Sequence, residues 1–252
     1  MIAVFAAMQP EMHACTGCFG VRRATSIAGY PAIDGEFALV CQTGMGRRAE
    51  ECMAAVLPQL SPKAVISIGI AGGLHSDGFA GEIILCRQVD HAQARGAASA
   101  GPSVSADHGL LAAALRTAEE LRLPARVGSS VTVDSPAWTP EGKADLHGWL
   151  QHDIVEMESY WVGKAAAERG LPFLAVRVIA DQANDELVQS GAMKDDGSFD
   201  QAAFGAFISE HPELMPVVSR QMECSRLALA ALTQFANAFL PRLAELAAGR
   251  AA

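Results

Sequence analysis

The chain has 252 residues, half of them hydrophobic, with 28 acidic against 19 basic side chains and a formal net charge of −9. That length and apolar content can fill one large core and fit a single α/β domain. The acidic balance argues against a dedicated nucleic-acid binder, which presents a basic face; anion binding is left to a local cradle of backbone N–H groups or a few placed Arg and Lys.

Apolar runs of strand length alternate with helical patterns throughout, as in α/β folds. The pattern predicts one domain, a three-layer α/β/α arrangement around a central mixed, largely parallel twisted sheet, with a C-terminal helical extension over about 200–252. The first predicted strand is Ile2–Ala7. No basic n-region precedes it and Glu11 interrupts the apolar run, so it does not read as a signal peptide. Gly17 to Asp34 reads as irregular hairpin material, followed by a strand at Phe37–Gln42, a helix at Arg48–Leu57 and strands at Ala64–Ile70 and Glu82–Val89. Ala92 to Ser105, rich in Ala, Gly and Ser, is expected to be a loop.

Next come a helix at Asp107–Leu121, a strand at Val127–Val133, a helix at Pro140–Leu150 and a strand at Ile154–Met157. A helix at Ser159–Arg169 and a strand at Phe173–Ile179 follow. Asn184–Phe199, polar and glycine-containing just after a strand end, is placed to act as a lid. The predicted helix Asp200–Glu210 leads into a long helical region from about Leu214 to Leu246, with a break expected near Pro241. Its most apolar stretch, Leu227–Leu240, contains Gln234 and Asn237 and is too short for a membrane span. No integral membrane segment is expected, and the chain is placed in the cytoplasm. Of the six cysteines only Cys15 and Cys18 lie close together, with His13 nearby; without a second pair no metal site is expected there, and the other four read as ordinary buried thiols.

Ligands of an open α/β sheet bind outside the carboxyl ends of the strands, and several motifs fall there. Gly44-Met45-Gly46-Arg47-Arg48-Ala49 has the G-x-G-x-x-A spacing of a dinucleotide turn. The next strand ends Ser67-Ile68-Gly69-Ile70-Ala71-Gly72-Gly73, without the carboxylate a dinucleotide ribose requires, so a small anion or a nucleoside fits better, the alternative being a plain tight turn. Glu156 and Glu158 lie one residue apart at a strand end, where they project to one side or sit in the first turn of the next helix. Asp181 and Glu11 follow two further strands. Three carboxylates from three strand ends, Glu11, Glu158 and Asp181, suit cleavage of an N-glycosidic bond. That reaction needs a fixed ribose, negative charge near an oxocarbenium-like centre, an acid for the leaving purine and a placed nucleophile.

The run Val155-Glu156-Met157-Glu158-Ser159, followed by Leu171-Pro172-Phe173-Leu174-Ala175-Val176-Arg177-Val178-Ile179-Ala180-Asp181, resembles the signature of purine nucleoside phosphorylases and methylthioadenosine/S-adenosylhomocysteine nucleosidases. Ala7-Met8-Gln9-Pro10-Glu11 and Gly69-Ile70-Ala71-Gly72-Gly73-Leu74 match the other two motifs of that superfamily, in order. The resemblance implies that Glu158 holds the ribose 2′- and 3′-hydroxyls, with Met157 against the sugar and Glu156, Ala71 and Gly72 lining the substrate site. It makes Asp181 the donor to purine N7 and Glu11 the group that orients or activates the nucleophile. The purine would pack at Asp134–Trp138, where Ser135-Pro136-Ala137 lacks the usual aromatic and Trp138 is the substitute.

The C-terminal part, with His211-Pro212-Glu213-Leu214-Met215-Pro216, and Ile70 in the Gly-rich motif resemble the hopanoid-associated phosphorylases, which release adenine from adenosylhopane. The nucleophile stays open at this point. Ser67 and Ile70 stand where bacterial hexameric phosphorylases carry Arg and Ser, while Glu11 stands where nucleosidases keep a water-activating carboxylate. Gly44, Gly46 and Arg47 are the candidates for holding phosphate. The resemblance implies no cofactor, inorganic phosphate being a co-substrate only if the reaction is phosphorolysis. The expected partners are a small-molecule adenine nucleoside and further copies of the chain in a homo-oligomer of two or more, not nucleic acid. The competing readings are a methylthioadenosine/S-adenosylhomocysteine nucleosidase and a catalytically silent nucleotide-binding protein of the same fold.

Overall fold

A computed structural model describes residues 1–20, 22–92 and 102–249. Its strands run β1 (Ile2–Ala6), β2 (Arg22–Ile27), β3 (Tyr30–Gly35), β4 (Ala38–Gln42), β5 (Ala64–Gly73), β6 (Ile83–Ala92), β7 (Val104–Ser105), β8 (Ala125–Val133), β9 (Ile154–Glu156) and β10 (Phe173–Asp181). The helices are α1 (Gln9–Ala14), α2 (Arg48–Val56), α3 (His108–Glu120), α4 (Pro140–Leu150), α5 (Ser159–Ala167), α6 (Gln201–Glu210) and α7 (Met215–Gly249). Gly17 to Asp34, read as irregular hairpin material, carries the regular β2–β3 hairpin, and α1 was not anticipated. The loop expected over Ala92–Ser105 falls mostly outside the described residues; within it, Ala92 ends β6 and Val104–Ser105 form β7.

The fold is α/β with a mixed sheet. β1, β4 and β5 lie parallel and side by side, and β5 pairs parallel with β10. β10 then pairs antiparallel with β6, β6 and β8 run parallel, β8 and β9 run parallel, and β9 returns antiparallel to β5. The sheet therefore closes on itself through β5, β10, β6, β8 and β9, a barrel that an open-sheet reading does not include. Its β1–β4–β3–β2 wing extends from β5. Parallel and antiparallel pairings occur side by side, so the sheet is less dominated by parallel pairs than strand–helix alternation suggests.

β1, β4, β5 and most of β10 are buried on both faces, the burial that continuous apolar runs specify. Alternate residues feed two cores: Ile66 and Ile68 meet α1, α3 and α7, whereas Val65 and Ala71 meet α2 and α5. Helix α7 is long and apolar enough, by length and composition, to cross a membrane. Here one of its faces is core: Ala228, Leu232, Phe235, Ala236, Phe239 and Leu240 are fully buried against the sheet. It does not break at Pro241; Phe239, Leu240 and Leu243 are buried on both sides of the proline and fix the helix to the core.

Candidate active site

β1, β5, β9 and β10 deliver their carboxyl ends to one cavity of about 150 Å³, walled by Met8, Glu11, Met45, Ile70, Ala71 and Gly72, together with Val155, Glu156, Met157, Glu158, Asp181 and Leu187. Glu11, Glu158 and Asp181, distant in sequence, meet there.

Glu11 stands in the first turn of α1, where negative charge is favoured. One carboxylate oxygen accepts from Met8 N at 2.9 Å and the other from Ile70 N at 2.9 Å. Burial raises its carboxyl above the ordinary value, against the opposing pull of Arg177 and these N–H groups. Glu158 is the residue just before α5; its Oε1 accepts from Gly46 N at 2.9 Å. Burial lifts its pKa to about 8, Arg177 opposing and Glu156 and Glu11 adding to the rise.

Glu156 lines the cavity but is saturated. It accepts from Thr132 Oγ1, from Glu158 N at 3.0 Å and from Ser159 N at 2.7 Å, and it pairs with Arg177 at 2.7 Å. Its carboxylate caps α5 and is occupied by the protein itself. Met157 lines the cavity beside the Gly46 turn.

Arg177 ties these groups together, and it carried no role in the sequence reading. It is 1% exposed in the middle of β10. Nε donates to Ser159 Oγ at 3.0 Å, and Nη2 donates to Ser67 Oγ at 3.1 Å and lies 3.6 Å from Glu158. Nη1 has no protein partner. A Cβ on Gly69 would stand 2.3 Å from Nη1 and 2.6 Å from Glu11 Oε1, so only glycine fits between guanidinium and carboxylate. A charged residue inside the apolar run Phe173–Asp181 was the available signal, since a buried charge must be paired.

Asp181 ends β10, and burial raises its carboxyl above the ordinary value while Lys143 pulls it back. Lys143 Nζ lies 2.5 Å from Asp181 Oδ1. Nothing in the helical run Pro140–Leu150 marks this lysine as buried, and sequence reasoning did not find it.

The Gly44–Arg47 turn is placed differently from an anion cradle. Gly44 N donates to Ala7 O at 3.2 Å, Met45 N to Asp195 O at 2.7 Å and Gly46 N to Glu158. The N–H groups of Gly44, Met45 and Gly46 are all engaged. The Arg47 guanidinium lies over the Trp161 ring at 4.5 Å, with Glu50 at 3.7 Å and Asp134 at 4.0 Å. It does not line the cavity. Trp138 does not line it either; its carbonyl accepts from Leu187 N at 2.8 Å, while Pro136 and Ala137 form that part of the wall.

The segment read as a lid crosses the site. Leu187 stands in the wall, and the backbone of Asp195 and Asp196 is bonded to Met45 and to Gln42 Nε2, the latter at 2.8 Å. Gly197 has φ +78°, and a Cβ there would fall 2.3 Å from Ala7 O, so the close approach of this strap to β1 requires glycine. Among the described residues no group of three or more His, Cys, Asp and Glu is arranged to hold a metal.

The raised Glu158 carboxyl has a consequence for stability. Between the ordinary value of 4.5 and about 8 the folded protein keeps a proton that the unfolded chain releases, so this carboxyl makes stability fall as pH rises through that window. Glu11 and Asp181, also raised, add slopes of the same sign. Thermal melts at fixed ionic strength are expected to show a shallower fall for Glu158→Gln than for the wild type. Parallel slopes contradict the assignment.

A sequence profile of the phosphorylase superfamily matches residues 1–209. A 5′-methylthioadenosine/S-adenosylhomocysteine nucleosidase of Shewanella piezotolerans is 26% identical over 201 residues, covering 73% of this chain and 87% of that protein. The nucleosidase of the same description from Neisseria meningitidis, solved with methylthio-immucillin-A, superposes with a TM-score of 0.67 at 20% identity, over 92% of this chain and 97% of the other. Native futalosine hydrolase of Helicobacter pylori gives a TM-score of 0.67 at 18% identity, over 88% and 97%. With five-sixths of its length matched by the profile and the fold shared over 92% of the chain, it belongs to the phosphorylase superfamily and is an enzyme of the purine nucleoside phosphorylase/nucleosidase class.

Proposed function

We propose that the protein hydrolyses the N-glycosidic bond of an adenine nucleoside bearing an apolar 5′ substituent, of the adenosylhopane type. The observation that carries this reading is the convergence of Glu11, Glu158 and Asp181 on one cavity, with Arg177 threaded behind the two glutamates. In this reading Asp181 donates a proton to purine N7, Glu158 accepts from the ribose diol, and Glu11 takes the proton of a water attacking C1′. In their ionised forms Glu158 and Glu11 place negative charge beside the oxocarbenium-like centre.

Two features favour water over phosphate. The Gly44–Gly46 N–H groups are spent on Ala7, the Asp195 carbonyl and Glu158. Arg47 is balanced by Glu50 and Asp134 away from the cavity. The apolar 5′ group rests on the strand order: Asp181 on β10 and Met45 after β4 stand at opposite ends of the row β10–β5–β1–β4. A purine at Asp181 therefore directs the 5′ end toward Met8 and Met45. We further assign the protein, on the same reading, to the cytoplasm, to a homo-oligomer and to a mechanism without a cofactor, with α7 as an extension of a single domain.

The test is adenine release from adenosine, methylthioadenosine and a lipid-tailed adenosine, each with and without phosphate. Release at equal rates in both conditions, fastest with the lipid-tailed substrate, is expected. A requirement for phosphate contradicts hydrolysis, and a preference for methylthioadenosine identifies the shorter substituent as the substrate's.

A further inference from the structure

Lys143 is the sole buried residue of α4, and it is 0% exposed. Burying an ammonium needs a reason, because taking that charge out of water is costly unless it is fully paired. Its hydrogen bonds go to the carbonyl oxygens of Gln182 at 2.7 Å and Asp185 at 2.9 Å. Its third neighbour is Asp181 Oδ1 at 2.5 Å, in the cavity wall. The turn that follows Asp181 is held from the other side as well: Gln182 N donates to Asp185 Oδ2 at 2.9 Å, and Arg220 of α7 donates to Asp185 Oδ1 at 2.7 Å. Arg220 thus spends its charge on Asp185, which leaves Lys143 as the cation against Asp181.

We propose that Lys143 is a positioning residue for departure of the purine: it fixes Asp181 at the cavity wall and stabilises the carboxylate left there once the Asp181 proton has moved to the base. The proposal rests on the functional reading above. In the step concerned, the proton of the Asp181 carboxyl passes to purine N7. The C1′–N9 bond breaks with its electron pair going to the purine, which leaves neutral. Water oxygen bonds to C1′, and its proton goes to Glu11. Lys143 takes no part in the proton transfer, and Asp181 ends as the carboxylate beside it. Solvent exchange then returns a proton to Asp181 and removes one from Glu11. Such a cation acts only where the leaving group needs a proton, since its interaction strengthens as charge develops on Asp181.

That dependence separates an electrostatic role from a merely structural one. Lys143→Met is compared with wild type on an adenine nucleoside and on p-nitrophenyl riboside, whose leaving group departs as a phenolate without protonation. Adenine release is expected to fall about 10²-fold in kcat, at the low end for loss of acid assistance, with KM little changed. Nitrophenolate release should stay within about threefold, because it makes no use of the proton on Asp181. Lys143→Arg, which keeps the cation, should recover part of the adenine rate. An equal fall on both substrates, or none on either, overturns the proposal, as does an arginine variant no faster than the methionine variant. Should the methionine variant not fold, the arginine variant's selective loss on the adenine substrate carries the test, and an equal loss on both overturns it. A wild type that releases nitrophenolate but adenine from no nucleoside overturns the functional reading, and this proposal with it.

Discussion

Arg177→Met is expected to cost the fold about 3–5 kcal/mol, the usual penalty for removing one partner of a buried charge network, and to abolish measurable adenine release. Arg177 is the cation that Glu156 touches at 2.7 Å and Glu158 at 3.6 Å, with Glu11 just across Gly69. Without it, three carboxylates face one another in a buried volume. Glu11 and Glu158, already raised by burial, would rise further, so that the ionised form of each is reached only at higher pH. A protonated Glu158 is a poorer acceptor for a ribose diol, and a protonated Glu11 cannot receive a proton from water. Loss of stability and loss of activity therefore share one cause. Lysine is expected to recover little of either, because a single ammonium cannot reproduce the planar fork that serves Ser67, Ser159 and Glu156 together. Urea denaturation and an adenine assay check both outcomes. A variant as stable and active as the wild type contradicts the role given to Arg177.

Asp181→Asn should separate the two effects. The amide keeps the shape and removes the transferable proton, so kcat is expected to fall by about 10²–10⁴, the usual worth of acid catalysis. KM should change by less than roughly tenfold, since loss confined to the transition state leaves ground-state binding in place. Some stability is also lost, because Lys143 keeps only its carbonyl partners. Steady-state kinetics beside a thermal melt distinguish this from misfolding. An undiminished kcat would place the proton donor elsewhere.

The three carboxylates were legible because each ends an apolar run or begins the helix after one, and strand ends are where such a sheet places ligands. Arg177 was legible only as an anomaly, a charge where alternation demands an apolar residue; its partners are set by the closure of the barrel. That closure hangs on the short β5–β9 pairing of Gly72 with Val155 and Gly73 with Ile154, a long-range register that no local pattern encodes. Lys143 was illegible, since a lysine among the polar residues of Pro140–Leu150 reads as solvated. The Gly44–Arg47 turn was misleading for a related reason. Its glycines do permit close backbone approach, but what approaches is the Asp195 carbonyl from far along the same chain. The unbroken helix at Pro241 is a further case in which tertiary burial overrides a local breaker.

Water is proposed to attack C1′ of an adenine nucleoside in the cavity shared by Glu11, Glu158 and Asp181. The most direct measurement is turnover of a lipid-tailed adenosine in isotopically labelled water with phosphate present, followed by mass spectrometry of the sugar product. A sugar carrying one heavy oxygen at C1′, released together with adenine, is the predicted result. A sugar 1-phosphate without the label, or no adenine at all, would contradict it.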